Sequence, residues 1–301
     1  VKPAPFGAPP AVSASPPRTE TLPRLAALRP RPGDPLTTGP SAALGSFLLK
    51  TWAILGIELR KLRHDPFDLV TRAVQPILWL TVFGQVFGRL RAQAAGASQA
   101  NYLDYLTPGI LAQSVIYIAI FQGIAVIWER DQGTLQKFLV SPLPRAALVL
   151  GKGLAAGVRG LTQAVTISIL ALLLGVHLRL DPLALLGVAA LVFLGANFFA
   201  TLSLVIAALV RSRERVQGMG QLITMPLFFA SNALYPIALM PGWVAVVAQL
   251  NPLSYMVDGL RTLMVVGNPE ALGLPLDFAV LLVVNCAIVW LAARIYPRLV
   301  R

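Results

Sequence analysis

The side chains of this 301-residue sequence that could do chemistry are few and scattered. Its two histidines, His64 and His177, fall on opposite sides of the topology derived below, so no pair with metal-ligand spacing exists. The single cysteine, Cys286, lies inside an apolar run, which excludes an internal disulfide and a thiolate cluster. Gly151, Lys152 and Gly153 echo a phosphate-binding loop, but the preceding glycine spacing and the following Ser or Thr are missing. A proton-driven carrier needs ionisable groups deep in its apolar segments. Here Arg159 is close enough to the end of one segment to snorkel out of it, and Asp277 lies near the end of another. The chain is therefore expected to carry no catalytic residue, no metal site and no cofactor of its own.

What remains is a polar insert between two apolar runs, ERDQGTLQKFLVSPLPR, residues 129–145. A plain connection between neighbouring helices needs only a few residues. Within this longer one, Leu135, Phe138 and Leu139 share a face of a short helix that Ser141 and Pro142 stop. A second amphipathic stretch lies at 47–64, FLLKTWAILGIELRKLRH. Leu48, Trp52, Leu55, Leu59 and Leu62 recur there at steps of four and three, and Arg60, Lys61, Arg63 and His64 crowd the far end. A basic helix with Trp and Leu on one face suits the membrane surface.

The elements that position these stretches follow from composition. The chain is 56% hydrophobic and 13% charged, against roughly 25% charged in soluble domains, which makes it an integral membrane protein. Six segments approach the length that crosses hydrocarbon: about 69–88, 106–128, 153–177, 183–210, 219–240 and 274–296. Thr107 and Pro108 read as a cap and first-turn proline opening the second. Residues 241–266 are apolar too, but Asn251 and Pro252 break them into two short helices, a re-entrant or surface hairpin in which Asp258 and Arg261 can neutralise each other. Residues 1–45 hold eleven prolines and little clustered apolar surface, a disordered cytoplasmic tail. The start of that tail lacks the apolar core of a secretory signal. The fold class is all-α integral membrane: six transmembrane helices within 46–301, an N-terminal amphipathic interfacial helix, and a re-entrant helical hairpin between spans five and six.

Twenty-five Lys and Arg against thirteen Asp and Glu give a formal charge of +12. With the amino end inside, the inner segments hold Lys50, Arg60, Lys61, Arg63, Arg72, Arg130, Lys137, Arg145, Lys152, Arg211, Arg213, Arg215, Arg294, Arg298 and Arg301. The outer loops hold only Arg89, Arg91, Arg179 and Arg261. Cations retained on the cytoplasmic side thus account for most of the basic excess, so no nucleic acid is needed and both termini lie in the cytoplasm. The insert and the basic helix then share the inner face.

Three stretches in order carry a family resemblance: YLTPGILAQS (105–114), WERDQGTLQKFLVSPLPRAALVLGK (128–152) and LNPLSYMVDGLR (250–261). Together they resemble the permeases of the type-2 ABC exporters over residues 47–301, nearest the branch of daunorubicin and doxorubicin resistance permeases. The resemblance implies a multi-pass permease of the cell membrane that dimerises and binds two copies of a separate ATPase on its cytoplasmic face. ATP and Mg would belong to that partner, and membrane lipids would be the remaining contact. It also implies that 47–64 is an interfacial connecting helix and 131–140 a coupling helix, moved by the ATPase. The coupling residues would be Trp52, Leu55, Leu59, Arg60, Lys61, Glu129, Arg130, Asp131, Leu135, Lys137, Phe138 and Leu139.

A cargo path between the two copies would be lined by spans two and five. Aromatic walls with a few polar groups suit large apolar cargo such as drugs or lipids, which singles out Tyr117, Phe121, Asn197, Phe198, Phe199, Phe228, Phe229 and Asn232. The hairpin, with Asn251, Pro252, Asp258 and Arg261, would gate it. Two rivals stand beside this reading. One is export of a lipid-linked glycan by the same family, and the other a proton-coupled drug carrier, which would need the midplane carboxylate the sequence lacks.

Overall fold

The computed structural model describes residues 40–64, 74–86, 88, 99–133, 145–210, 212–266 and 273–295. The chain divides after Gly45, and the fold below is that of the unit Ser46–Arg301. Its elements are the part of α1 (Pro40–His64) from Ser46 onward, α2 (Val74–Val86, with a π-helical turn at Trp79–Phe83), α3 (Gln99–Asp131), α4 (Arg145–Leu173) and α5 (Pro182–Val210). They continue with α6 (Arg213–Phe229), α7 (Gly242–Leu250), α8 (Pro252–Met264) and α9 (Leu274–Ile295). Four of these, α3, α4, α5 and α9, are long and apolar enough to cross a membrane.

At the centre is α5, which has no charged residue and packs against α3, α4, α6, α8 and α9. Small side chains make that possible, since lipid offers no hydrophobic drive between helices and close contact must hold them instead. Gly123 of α3 meets Ser203 of α5 so closely that a Cβ would collide with it. There the Ser203 hydroxyl donates to the Ile120 carbonyl at 2.6 Å and accepts from the Gly123 N–H at 3.1 Å.

Two helix ends differ from the sequence expectation. Thr107 and Pro108 do not open α3 but lie inside it, where the Thr107 hydroxyl bonds the Leu103 carbonyl one turn back. The fifth apolar segment is not one helix as far as Met240. Instead α6 carries Pro226 and stops at Phe229, and an irregular stretch with a 3-10 turn at Ile237–Leu239 follows.

The connection from α4 to α5 runs across one end of the bundle. The Arg179 N–H donates to the Met264 carbonyl at 2.7 Å and the Val266 N–H to the His177 carbonyl at 3.2 Å, forming an isolated antiparallel bridge with the end of α8. The backbone N–H of His177 also donates to the Asp104 carboxylate of α3 at 3.0 Å. This end also carries α7 and α8, joined at Asn251 where the sequence predicts a hairpin, and is called the hairpin end. The opposite end, where α3 finishes and α4 begins, is called the junction end.

Candidate functional site

At the junction end a single apolar cluster gathers Ile54 of α1, Val126 and Ile127 of α3, Leu148 and Val149 of α4, Leu204 of α5, Val216 of α6 and Ala292 of α9. The turn of α1 that enters it presents Thr51, Ile54 and Leu55 to the protein, while Leu48, Leu49 and Trp52 stay exposed, Trp52 at 72%. The single stripe read from the sequence is therefore shared between two faces. Ile54 and the Thr51 carbonyl sit on Gly151, where a side chain would displace them.

One residue further along α4 is Lys152, only 1% exposed, whose ammonium donates to the Glu129 carboxylate of α3 at 2.6 Å. Glu129 is buried as well, so it faces the protein rather than an incoming partner. A lysine held in a helix interior by a carboxylate is not a phosphate ligand, which removes the echo in Gly151, Lys152 and Gly153. Arg130 and Asp131 pair at 3.1 Å on the surface, and Arg60 is exposed. Leu135, Lys137, Phe138 and Leu139 lie outside the described residues, as do the side chains of Leu59 and Lys61.

The hairpin end is organised around the break after α6. Irregular backbone in a membrane bundle leaves carbonyls that hydrocarbon cannot satisfy. Here side chains from elsewhere supply the donors. The Asn251 amide donates to the Leu227 carbonyl at 2.6 Å and the Ala230 carbonyl at 3.1 Å, while its own oxygen caps α8 by accepting from the Leu253 N–H. Pro252 follows as the first residue of α8, where a missing N–H costs nothing. The Asn232 carbonyl accepts from the Arg261 guanidinium at 2.7 Å and the Tyr105 hydroxyl at 3.0 Å. Arg261 also stacks on the Tyr105 ring, 3.7 Å from its centroid. Asp258 is buried nearby and interacts electrostatically with Arg261. Tyr105 was missed in the sequence reading because it lies far away in the chain.

Comparison with known proteins fits this arrangement. The family model described as ABC-2 type transporter matches residues 50–265. The chain belongs to that family. Among curated relatives, the daunorubicin resistance ABC transporter permease protein DrrB1 of Streptomyces coeruleorubidus is 28% identical over 232 residues, 76% of this chain and 80% of the relative. Nodulation protein J of Rhizobium leguminosarum bv. trifolii is 29% identical over 239 residues, 79% and 87% of the two chains. The inner membrane transport permease YadH of Escherichia coli (strain K12) is 23% identical over 195 residues, 64% and 75%. The protein is thus a membrane permease, a transport component and not itself a catalyst.

In this ABC-2 permease the residues singled out for a cargo path separate into two groups. Asn197, Phe198, Phe199, Phe228 and Asn232 are buried in the interior of the chain's fold rather than on an open face. Asn197 donates to Asn285 of α9 at 2.6 Å, and Asn285 bonds the Leu194 and Leu281 carbonyls, a polar tie between α5 and α9. Phe198 and Phe199 pack edge to face at 5.0 Å. Tyr117 is half-buried, and Phe121 and Phe229 are exposed. Phe229 lines a groove of about 430 Å³ with Tyr235 and Trp243, two aromatics the sequence reading did not pick.

Proposed function

We propose that this chain is the permease subunit of an ATP-driven exporter. It has six spans, both termini in the cytoplasm and the junction end facing inward, and it works as a homodimer with two copies of a separate ATPase. ATP binding closes the ATPase pair, which pushes on α1 and on the segment after α3. The two permease copies rock from inward- to outward-facing and release hydrophobic or amphipathic cargo. The observation that carries the reading is the junction. Thr51 and Ile54 of α1 seat on Gly151, and the next residue of α4, Lys152, is bonded to the last turns of α3. A push on either element therefore reaches the same three helices.

The cargo path is placed along the exposed faces of α3 and α6, at Tyr117, Phe121 and Phe229, with the hairpin as its outer gate. The daunorubicin resistance permease among the relatives favours drug-like cargo, and export of a lipid-linked glycan by the same family is the second reading. The test is co-reconstitution with the ATPase encoded nearest to it, followed by cargo-stimulated ATP hydrolysis and efflux. Replacing Phe138 with Asp should abolish stimulated transport while leaving insertion and dimerisation intact. Unchanged efflux from that variant, or pumping by the permease alone, overturns the proposal.

A further inference from the structure

At the hairpin end, the starts of α5 and α9 and the end of α8 line an open groove of about 410 Å³. Its volume falls within the roughly 300–1,000 Å³ of small-molecule sites. The walls are Leu183, Leu186, Leu263 and Phe278, and Leu183 and Leu186 face outward on the apolar exterior of α5. At its mouth stand Arg179 and Asp181, two residues apart in the connection that leads into α5. Both are exposed, and neither forms an ion pair with a described residue. The backbone N–H of Arg179 is tied to Met264, so the stretch that carries these charges is fixed to α8.

We propose that this groove holds a resident membrane phospholipid with an ethanolamine headgroup. One acyl chain lies along Leu183, Leu186, Leu263 and Phe278. The phosphate faces Arg179 and the ammonium faces Asp181. Charge complementarity selects this occupant. Acyl chains are as apolar as the leucines they would replace, so tail contact alone does not discriminate among lipids. The mouth carries one cation and one anion, which matches a zwitterion and disfavours a purely anionic headgroup. A primary ammonium can donate hydrogen bonds to the Asp181 carboxylate, whereas a choline cannot. The groove shares no lining residue with the one at Phe229, and its occupancy does not depend on what the permease exports.

The full-length permease is purified, placed in nanodiscs of defined phosphatidylethanolamine, phosphatidylcholine or phosphatidylglycerol mixtures, and its retained lipids are counted by native mass spectrometry. Phosphatidylethanolamine should be retained about three- to fivefold over the other two, the ceiling for an exposed charge pair. Asp181→Asn should shift retention toward phosphatidylglycerol, and Arg179→Gln should lower retention of both phosphate zwitterions. A photocrosslinking residue at Leu186 should label phosphatidylethanolamine. Equal retention of the three lipids overturns the proposal, as does an unchanged lipid profile in both variants. So does a crosslink from Leu186 to a second permease copy or to exported cargo.

Discussion

Replacing Lys152 with Met keeps the volume of the side chain and removes its charge, leaving the Glu129 carboxylate buried without its 2.6 Å partner. Removing one member of a buried pair costs about 3–5 kcal/mol, because the charge that remains loses its compensation, so Lys152→Met should lose about that much. In a protein of this size that is on the order of 10 °C in midpoint temperature.

The double variant Glu129→Leu with Lys152→Met should recover most of that loss, because a buried pair replaced by apolar side chains of similar size is often neutral or better. The assay is thermal unfolding of the purified permease followed by size-exclusion chromatography, with the four proteins of the cycle side by side. If Lys152→Met melts within a degree or two of the parent, or if the double variant merely adds the two single losses, the pair is not the buried clamp described here. Activity adds a second readout. The stable double variant restores packing but not the charged clamp, so its ATPase coupling tests whether the junction needs the pair or only its volume.

Arg261→Lys keeps the charge but loses the planar fork that reaches the Asn232 carbonyl while lying on the Tyr105 ring, so it should cost about 2–3 kcal/mol of stability in the same melting assay. Asn251→Ser retains an oxygen able to cap α8 but removes both amide donations to α6, at about 2 kcal/mol; Asn251→Ala, which also loses the cap, should cost about 1 kcal/mol more. In hydrogen exchange, α7 amides should exchange at least about tenfold faster than those of α8, because α7 buries only Ala248 whereas α8 buries nearly its whole length.

How legible each element was follows from where its determinants lie. The central helix α5 runs Pro182–Val210, where an uncharged apolar run marks it at 183–210, and α9 follows its run as closely. Composition sufficed because nothing but length and apolarity decides those ends. The start of α3 was misread because a Thr-Pro pair has two uses. The hydroxyl that would cap a helix can also bond back to the carbonyl four residues earlier, and Thr107 does the latter.

The end of α6 was invisible in the sequence for a different reason. Apolarity continues through Ala233, Leu234 and Ile237, and the donors that make a break affordable come from Asn251, Arg261 and Tyr105. The Glu129–Lys152 pair left a signal that went unused. A lysine immediately before a predicted span and a glutamate just after the preceding one sit at the same membrane depth, and a charge there needs a partner.

The bonds that explain the break also constrain how the hairpin end can open. If α8 swung away from the 230–236 stretch, the Leu227, Ala230 and Asn232 carbonyls would lose Asn251 and Arg261 together. Each buried acceptor left without a donor costs roughly 1–3 kcal/mol; the Asn232 carbonyl would keep Tyr105, but the Arg261 guanidinium would lose that carbonyl and the Tyr105 ring, so the sum is still a large part of the stability of a typical domain. Under the proposed function, a gate that cycles with each ATP cannot rupture so much of its own frame. The stretch after α6 must therefore travel with α8 and Tyr105 as one body. The element left able to move is α7, with Trp243 76% exposed and Val246, Val247 and Leu250 uncovered beside the groove at Phe229. A short apolar helix hinged at Pro241 and at the Asn251–Pro252 step would tilt at the loss of one bond, from the Tyr255 hydroxyl to the Gln249 carbonyl at 2.7 Å, and leave intact those that hold α6 and α8 together.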